Sequence, residues 1–249
     1  MNFFEPIARM IVKENSEEKK WLLEMGKAFP INTRDSNFFA ADNLITFGKV
    51  LGFLKDSKFA PIANKIFKDD DFHRSIIWRI NILSWSVNQC KNIDGDFLEF
   101  GCYDGSVAEF LINFCELDDS NKLFMLYDVF DNPPTSKNIK HSDKLYDEVC
   151  KKLKKYKSPR IIKGLLPESY VEKDIKKIAY VHFDLNSAET EMKLLEKIYD
   201  KISINAHIVI DDYGWKGYEE QHEKHKSFFL SKGQSILELP TGQGIVIKK

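Results

Sequence analysis

Residues 96–106 read Asp96-Phe97-Leu98-Glu99-Phe100-Gly101-Cys102-Tyr103-Asp104-Gly105-Ser106. A short apolar run, Phe97–Phe100, leads into Gly-x-x-x-Gly and then into a segment with helical spacing, Ser106–Leu117. Glycines let a backbone turn sharply and approach a neighbour closely, and the free N–H groups at the start of the following helix suit a polar ligand. A dinucleotide loop needs G-x-G-x-x-G, and Cys102 stands where its second glycine would be, which argues against a pyrophosphate. An acidic residue beside the loop suits a ligand carrying an ammonium group. The alternative is a glycine turn that only packs strand against helix, and the rest of the chain has to separate the two.

Working outward, four more short runs rich in β-branched or aromatic residues follow: Leu123–Tyr127, Arg160–Lys163, Ile178–Phe183 and Ile208–Ile210. Helical stretches lie between them, at His141–Tyr156 and Ala188–Ile202. In the latter, Met192, Leu195, Ile198, Tyr199 and Ile202 share one face, and Ser187 is placed to cap it with Glu189 and Glu191 in the first turn. Such alternation implies a parallel sheet covered on both faces. The end differs: Gln234–Leu239 and Gly244–Ile247 are separated only by Pro240–Gln243, which permits a hairpin and no crossover. The expectation is an α/β, Rossmann-like sheet, mostly parallel with a terminal antiparallel hairpin, the layout of class I methyltransferases. Upstream of Asp94-Gly95 the chain reads mostly as helix, with Ile76, Ile80, Leu83 and Val87 at helical spacing and polar breaks at 32–37 and Asp69–Asp71. The expected division is therefore a helical segment at 1–93 and the ligand-binding domain at 94–249.

Composition narrows the function classes. Thirty-seven basic and 38 acidic residues leave a net charge of −1, so the chain has no bulk electrostatic reason to bind nucleic acid or an anionic membrane. No apolar run approaches the roughly 18 residues of a spanning helix. The N-terminus lacks the basic start and small-residue cleavage site of a signal peptide. The four cysteines, Cys90, Cys102, Cys115 and Cys150, fit no zinc spacing and read as reduced thiols of a cytoplasmic protein.

The remaining strand ends carry polar motifs. Asp128, in Tyr127-Asp128-Val129-Phe130, ends the second strand, where an acid accepts ribose hydroxyls. Gly164 and Leu165 close the third strand near the expected adenine edge. His182-Phe183-Asp184-Leu185-Asn186-Ser187 closes the fourth, and Ile210-Asp211-Asp212-Tyr213-Gly214-Trp215 the fifth. Ligands bind at the carboxyl ends of strands in open α/β sheets. Asp184, Asp211 and Asp212 would meet there, and such carboxylates repel unless one is protonated or a cation lies between them. Mg²⁺ is the hard cation such oxygens suit; the bland alternative is that Asp211-Asp212 is a solvated turn.

Together, Glu99–Ser106, Asp184–Glu191, Asp211–Gly217 and Leu239–Lys248 (LPTGQGIVIK) make residues 94–249 resemble the macrocin O-methyltransferase family. The resemblance implies S-adenosylmethionine, a class I fold, and divalent-metal-dependent methylation of sugar hydroxyls. It places the cofactor against Glu99, Gly101, Cys102, Tyr103, Gly105, Ser106, Asp128, Val129, Phe130, Gly164, Leu165 and Asp184, and the metal on Asp184, Asp211 and Asp212. Antibiotic-pathway members end the fourth strand in Asp-x-Asp, a metal ligand followed by a proposed general base. Here Asn186 occupies the second position, and an amide takes no proton at pH 7. The chain resembles a side branch with Asp-x-Asn-Ser-Ala and Asp-Asp-Tyr-Gly-Trp, tied to bacterial surface-sugar pathways.

His182 is a partial replacement for the missing base, because strand periodicity puts it on the same side as Asp184. His222 and His225, on the helical stretch Tyr218–Lys232, are others. The expected catalytic set is thus Asp184, His182 and Asn186, acting on a small sugar or polyol, with Trp21, Phe38, Phe39 and Trp78 as candidate lid residues. An N- or phenol O-methyltransferase, and a non-catalytic binding subunit that kept the fold, stand as alternatives; homo-oligomerisation stays open.

Overall fold

The computed structural model describes residues 38–42, 44–47, 49–130, 144–171 and 175–249, together with Glu17, Lys20, Trp21 and Glu24. The apolar N-terminal stretch, the polar segment 32–37 and the first residues of the expected helix 141–156 lie outside the described residues. The chain forms two compact units, residues 1–82 and 83–249.

In the first unit, β1 (Phe38–Ala41) and β2 (Leu44–Phe47) pair antiparallel, with Ala41 opposite Leu44. This hairpin corrects the mostly helical expectation: Asp42, with φ of 53°, begins a tight turn between two strand-forming runs. Short helices follow, α1 (Gly52–Lys55), α2 (Phe59–Ile66) and α3 (Asp71–Ser75). Phe59, Ala60 and Ala63 bury one face of α2. Asp70 caps α3 by accepting the His73 N–H at 3.0 Å. Arg79 Nε donates to Asp42 Oδ1 at 2.8 Å, fixing the hairpin turn through a buried ion pair. Phe39 meets Trp78 edge-on at 5.5 Å, whereas Trp21 is exposed. Arg79 and Trp78 stand on α4 (Ile77–Cys90), a continuous helix whose later residues belong to the second unit.

The second unit is built on β3 (Asp96–Phe100), β4 (Phe124–Asp128), β5 (Pro159–Lys163), β6 (Ile178–Phe183), β7 (Ile202–Ile210), β8 (Leu237–Glu238) and β9 (Gly244–Ile247). Their order is β5-β4-β3-β6-β7-β9-β8. The first five run parallel and the last two antiparallel, as the sequence leads one to expect. The connecting helices are α5 (Ser106–Cys115), α6 (Leu145–Leu153), α7 (Ala188–Ile198) and α8 (Glu219–Ser231). All six residues of β6 are buried, the mark of a central parallel strand covered on both faces. On one face Leu98, Phe100, Val181, Phe183, Ile208 and Ile210 pack with Leu194, Leu195, Ile198 and Phe229 of α7 and α8, each side chain contributing about 1.5–3 kcal/mol of burial. On the other, α4 and α5 close over the sheet, with Cys115 Sγ 3.5 Å from the Ser84 carbonyl oxygen and the His207 N–H donating to Cys90 Sγ at 3.3 Å.

Two boundaries differ from expectation. Helix α7 ends at Ile198 and a 3₁₀ turn, Tyr199–Lys201, delivers the chain into β7 at Ile202. Strand β7 therefore starts well before Ile208, its early part masked in the sequence by polar Ser203, Asn205 and His207 and by a register shift against β6. Conversely, β8 covers only Leu237–Glu238 of the expected Gln234–Leu239. Among the described residues no helix is long and apolar enough to cross a membrane.

Candidate active site

The backbone ladder continues one residue past several strands. Gly101 N–H donates to the Tyr127 carbonyl at 2.8 Å, Asp184 N–H to Phe100 at 2.8 Å, Asp211 N–H to Phe183 at 2.9 Å, and Gly164 N–H to Asp128 at 3.0 Å. Gly101, Gly164, Asp184 and Asp211 therefore come to one edge of the sheet by main-chain bonding alone. Gly101 has φ of +92°, and a Cβ built there would lie 2.0 Å from the Asp184 carbonyl oxygen, so no other residue fits. Tyr103, Phe130 and Asn186 also adopt positive φ, at 46°, 56° and 53°. Left-handed non-glycine residues cost energy and cluster at functional sites; here all three sit just beyond the ends of β3, β4 and β6.

The glycine loop is held from several sides. Asp104 accepts the Ser106 N–H at 2.9 Å and its hydroxyl at 2.7 Å. Lys152 of α6 donates to the Asp104 carbonyl and to Ser106 Oγ, both at 2.7 Å. Gly105 caps α5 in a left-handed conformation, and Cys102 is buried, so Cys102 offers a ligand only its backbone. Asp128 accepts the N–H groups of Tyr103 and Phe130, each at 2.8 Å, which anchors the carboxylate at the loop mouth. Phe130 is buried against Tyr146, while Val129 and Leu165 expose apolar side chains at the ends of β4 and β5.

Glu99 turns towards the sheet interior. His182 Nδ1–H donates to Glu99 Oε1 at 3.0 Å, and His182 Nε2 lies 3.5 Å from Asp211 Oδ1. Burial opposes charge on His182, but the carboxylates of Asp211 and Glu99 beside the ring outweigh it and push the imidazole up to about 10. Glu99 Oε2 is buried without a hydrogen-bond partner.

Ligand atoms of His182, Asp184 and Asp211 all lie within 4.8 Å of one another. Asp212 stands outside this group, as expected where adjacent residues point to opposite sides. Gln243 Nε2 donates to Asp211 Oδ1 at 2.8 Å and orients it. The donor set fits a divalent cation on the carboxylates of Asp184 and Asp211, because hard oxygen ligands suit Mg²⁺ and bound carboxylates are typically oriented by neighbouring donors. Buried His182 completes this group, with Nδ1 on Glu99 and Nε2 3.5 Å from Asp211. Of the other histidines, His222 stacks on Tyr213 at 4.3 Å, and His225 is fully buried.

Sequence reasoning missed Lys152, Gln243 and Glu191. Gln243 lies in the quoted LPTGQG stretch, and a buried amide in a hairpin turn is its only local signal. Lys152 has none, because it reaches Ser106 from another helix.

A glycine loop, an acid ending the next strand and paired carboxylates along the carboxyl edge of a sheet ending in an antiparallel hairpin define a class I S-adenosylmethionine-dependent methyltransferase. The sequence profile of the family described as Macrocin-O-methyltransferase (TylF) matches residues 79–228. That is well over half of the chain, and the protein belongs to this family. No curated protein sequence matches it. Among solved structures, the chain is similar to the O-methyltransferase NovP, with a TM-score of 0.59 and 15% identity over 70% of this chain and 80% of that one. It is similar to apo CalS11, a TDP-rhamnose 3′-O-methyltransferase of calicheamicin biosynthesis, with a TM-score of 0.56 and 13% identity over 94% and 96%. The S-adenosylhomocysteine-bound methyltransferase PaMTH1 of Podospora anserina gives 0.50 and 14% over 82% and 100%. At these identities the likeness establishes the fold.

Proposed function

We propose that the protein transfers a methyl group from S-adenosylmethionine to a hydroxyl of a sugar, free or nucleotide-linked, with a divalent cation held by Asp184 and Asp211. The observation that carries this reading is the convergence of Gly101, Asp128, Asp184 and Asp211 on one edge, with Asp184 packed directly on the glycine loop. NovP and CalS11, both O-methyltransferases and the latter acting on TDP-rhamnose, support the sugar acceptor. When bound, S-adenosylmethionine supplies the electrophilic methyl group, and a divalent cation supplies acidity to a coordinated hydroxyl.

The chain's own residues do the rest. Asp128 takes the ribose hydroxyls, Val129 and Leu165 flank the adenine, and the amides of 101–106 line the cofactor's amino-acid end. Asp184 and Asp211 fix the acceptor oxygen against the loop, and this positioning supplies most of the acceleration. Asn186, exposed at the loop tip, is an amide and removes no proton. His182 is buried and spent on Glu99 and Asp211, so it holds Asp211 in place and does not touch the acceptor.

The test is methyl transfer to a panel of nucleotide sugars, read as S-adenosylhomocysteine, with and without chelator. Expected is loss of transfer in excess EDTA, recovery with Mg²⁺ or Mn²⁺, and unchanged S-adenosylhomocysteine binding. Asp184→Asn and Asp211→Asn should each lose Mn²⁺ binding measured by electron paramagnetic resonance. Full activity of metal-free protein would make these aspartates structural and remove the cation from the reading.

A further inference from the structure

Behind the Asp184 loop lies a buried polar cluster that the reading above does not use. Glu191, on the first turn of α7, and His225, on α8, are both buried, at 1% and 0% exposure. Glu191 Oε1 accepts the Leu185 N–H at 3.2 Å and Gln221 Nε2–H at 3.1 Å. His225 Nδ1–H donates to the Gln221 carbonyl at 2.9 Å, which leaves Nε2 as the ring's acceptor. Glu191 Oε2 and His225 Nε2 face each other at 3.5 Å, and neither atom has any other hydrogen-bond partner. Two lone-pair atoms sealed from water at that separation repel unless one proton lies between them.

We propose that Glu191 and His225 share a single proton across the Oε2–Nε2 gap, and that this neutral acid–imidazole pair is a positioning couple that holds the Leu185 amide, and with it Asp184, in register for the acceptor. Glu191 is thus a positioning residue, not a catalytic one. Burial of both groups favours the uncharged arrangement: it pushes the Glu191 carboxyl up to about 7 and the His225 imidazole down to about 4. The other charged groups facing Glu191 are Asp212, at the end of β7, which raises it, and His182, on β6, which lowers it. The couple joins three elements that share no main-chain bonding at this point: α7, α8 and the loop after β6. The inference rests on the proposed function only for its last step, from Asp184 to the acceptor.

The experiment is amide hydrogen exchange and side-chain ¹⁵N spectroscopy on the full chain. At about pH 6, where an ordinary histidine is mostly charged, His225 should show one protonated ring nitrogen, Nδ1. Glu191→Ala should speed exchange of the Leu185 amide at least tenfold, and His225→Phe should speed it several-fold. Glu191→Gln should preserve protection, because its amide can donate to His225 Nε2 while its oxygen accepts from Leu185, as the protonated acid does. Melting curves identify any variant that fails to fold, and Glu191→Gln then decides alone. A doubly protonated His225 at that pH, unchanged Leu185 exchange in Glu191→Ala, or a Glu191→Gln as unprotected as Glu191→Ala would each overturn the proposal. With an active acceptor, Glu191→Ala should lower kcat about tenfold at unchanged cofactor affinity, and an unchanged kcat would overturn the positioning role. A wild-type protein that methylates no acceptor counts against the proposed function, while the exchange measurements still decide the pair.

Discussion

Replacing Gly101 with alanine tests the geometry on which the site depends. At φ of +92° an L-residue is strained, costing about 1–2 kcal/mol. The new Cβ would fall 2.0 Å from the Asp184 carbonyl oxygen and 2.8 Å from its carbon, both rigid backbone atoms. Relief requires β3 and β6 to part at their ends, which costs about 1–3 kcal/mol of overpacking. It also breaks the 2.8 Å Asp184-to-Phe100 hydrogen bond, worth about 0.5–1.5 kcal/mol. The sum is about 3–6 kcal/mol, and at about 2–4 °C per kcal/mol the melting temperature should fall by about 6–24 °C. Gly217 supplies the control: its φ is +98°, but a Cβ there meets nothing within 4 Å, so Gly217→Ala should lose only the conformational part, about 1–2 kcal/mol. Circular dichroism melts measure both, and calorimetry with S-adenosylhomocysteine should show Gly101→Ala binding at least about tenfold more weakly, a loss of ~1.4 kcal/mol or more. Equal melting shifts for the two variants, or full ligand affinity in Gly101→Ala, would refute the close approach of loop and Asp184.

Asp128→Ala should weaken S-adenosylhomocysteine binding by about 1–3 kcal/mol by calorimetry, because it removes the proposed ribose acceptor and frees the Tyr103 and Phe130 amides; equal binding would sink the assignment. Asn186→Asp should raise the methyl-transfer rate by less than about tenfold, since both residues tolerate the φ of 53° and proton removal does not depend on this side chain; a hundredfold gain would restore the base. Asp118 tests acid stability. Burial raises its carboxyl, but hydrogen bonds from Ser158 and Lys157 outweigh burial and hold it below the ordinary range. Its contribution is therefore complete above the unfolded value and is lost as pH falls through the folded one. Asp118→Asn should be less stable than the wild type at neutral pH, with the gap closing below about pH 4 in melts across pH.

The fold was legible where packing and local pattern agree. Strand β6 reads as a continuous apolar run because both its faces are covered, and the short link between β8 and β9 forces an antiparallel end. The early half of β7 was hidden because Asn205 and His207 satisfy their surroundings through partners distant in sequence, such as Cys90, and leave no periodic trace. The β1–β2 hairpin was missed for a different reason: Asp42 is held by Arg79, and nothing in 38–47 alone outweighs the helical pattern that follows. The glycine loop, Asp128, Asp184 and Asp211 were placed in the sequence at the ends of strands, and the parallel sheet brings those ends to one edge. Glu99 was not assigned its partner, since the cross-strand register that sets it opposite His182 exists only after folding. Lys152, Glu191 and Gln243 act across helices and a hairpin, where single-sequence spacing carries no information.

The contact between Gly101 and the Asp184 carbonyl also has a thermodynamic consequence. On the proposed function, the cofactor loop and the acceptor-side carboxylate are not separate sites joined by a path; they share an edge one hydrogen bond wide. A ligand that draws the glycine loop inward must carry Asp184 with it. By linkage, whatever factor the cofactor adds to the affinity of the acceptor side, the acceptor side returns to the cofactor in equal measure.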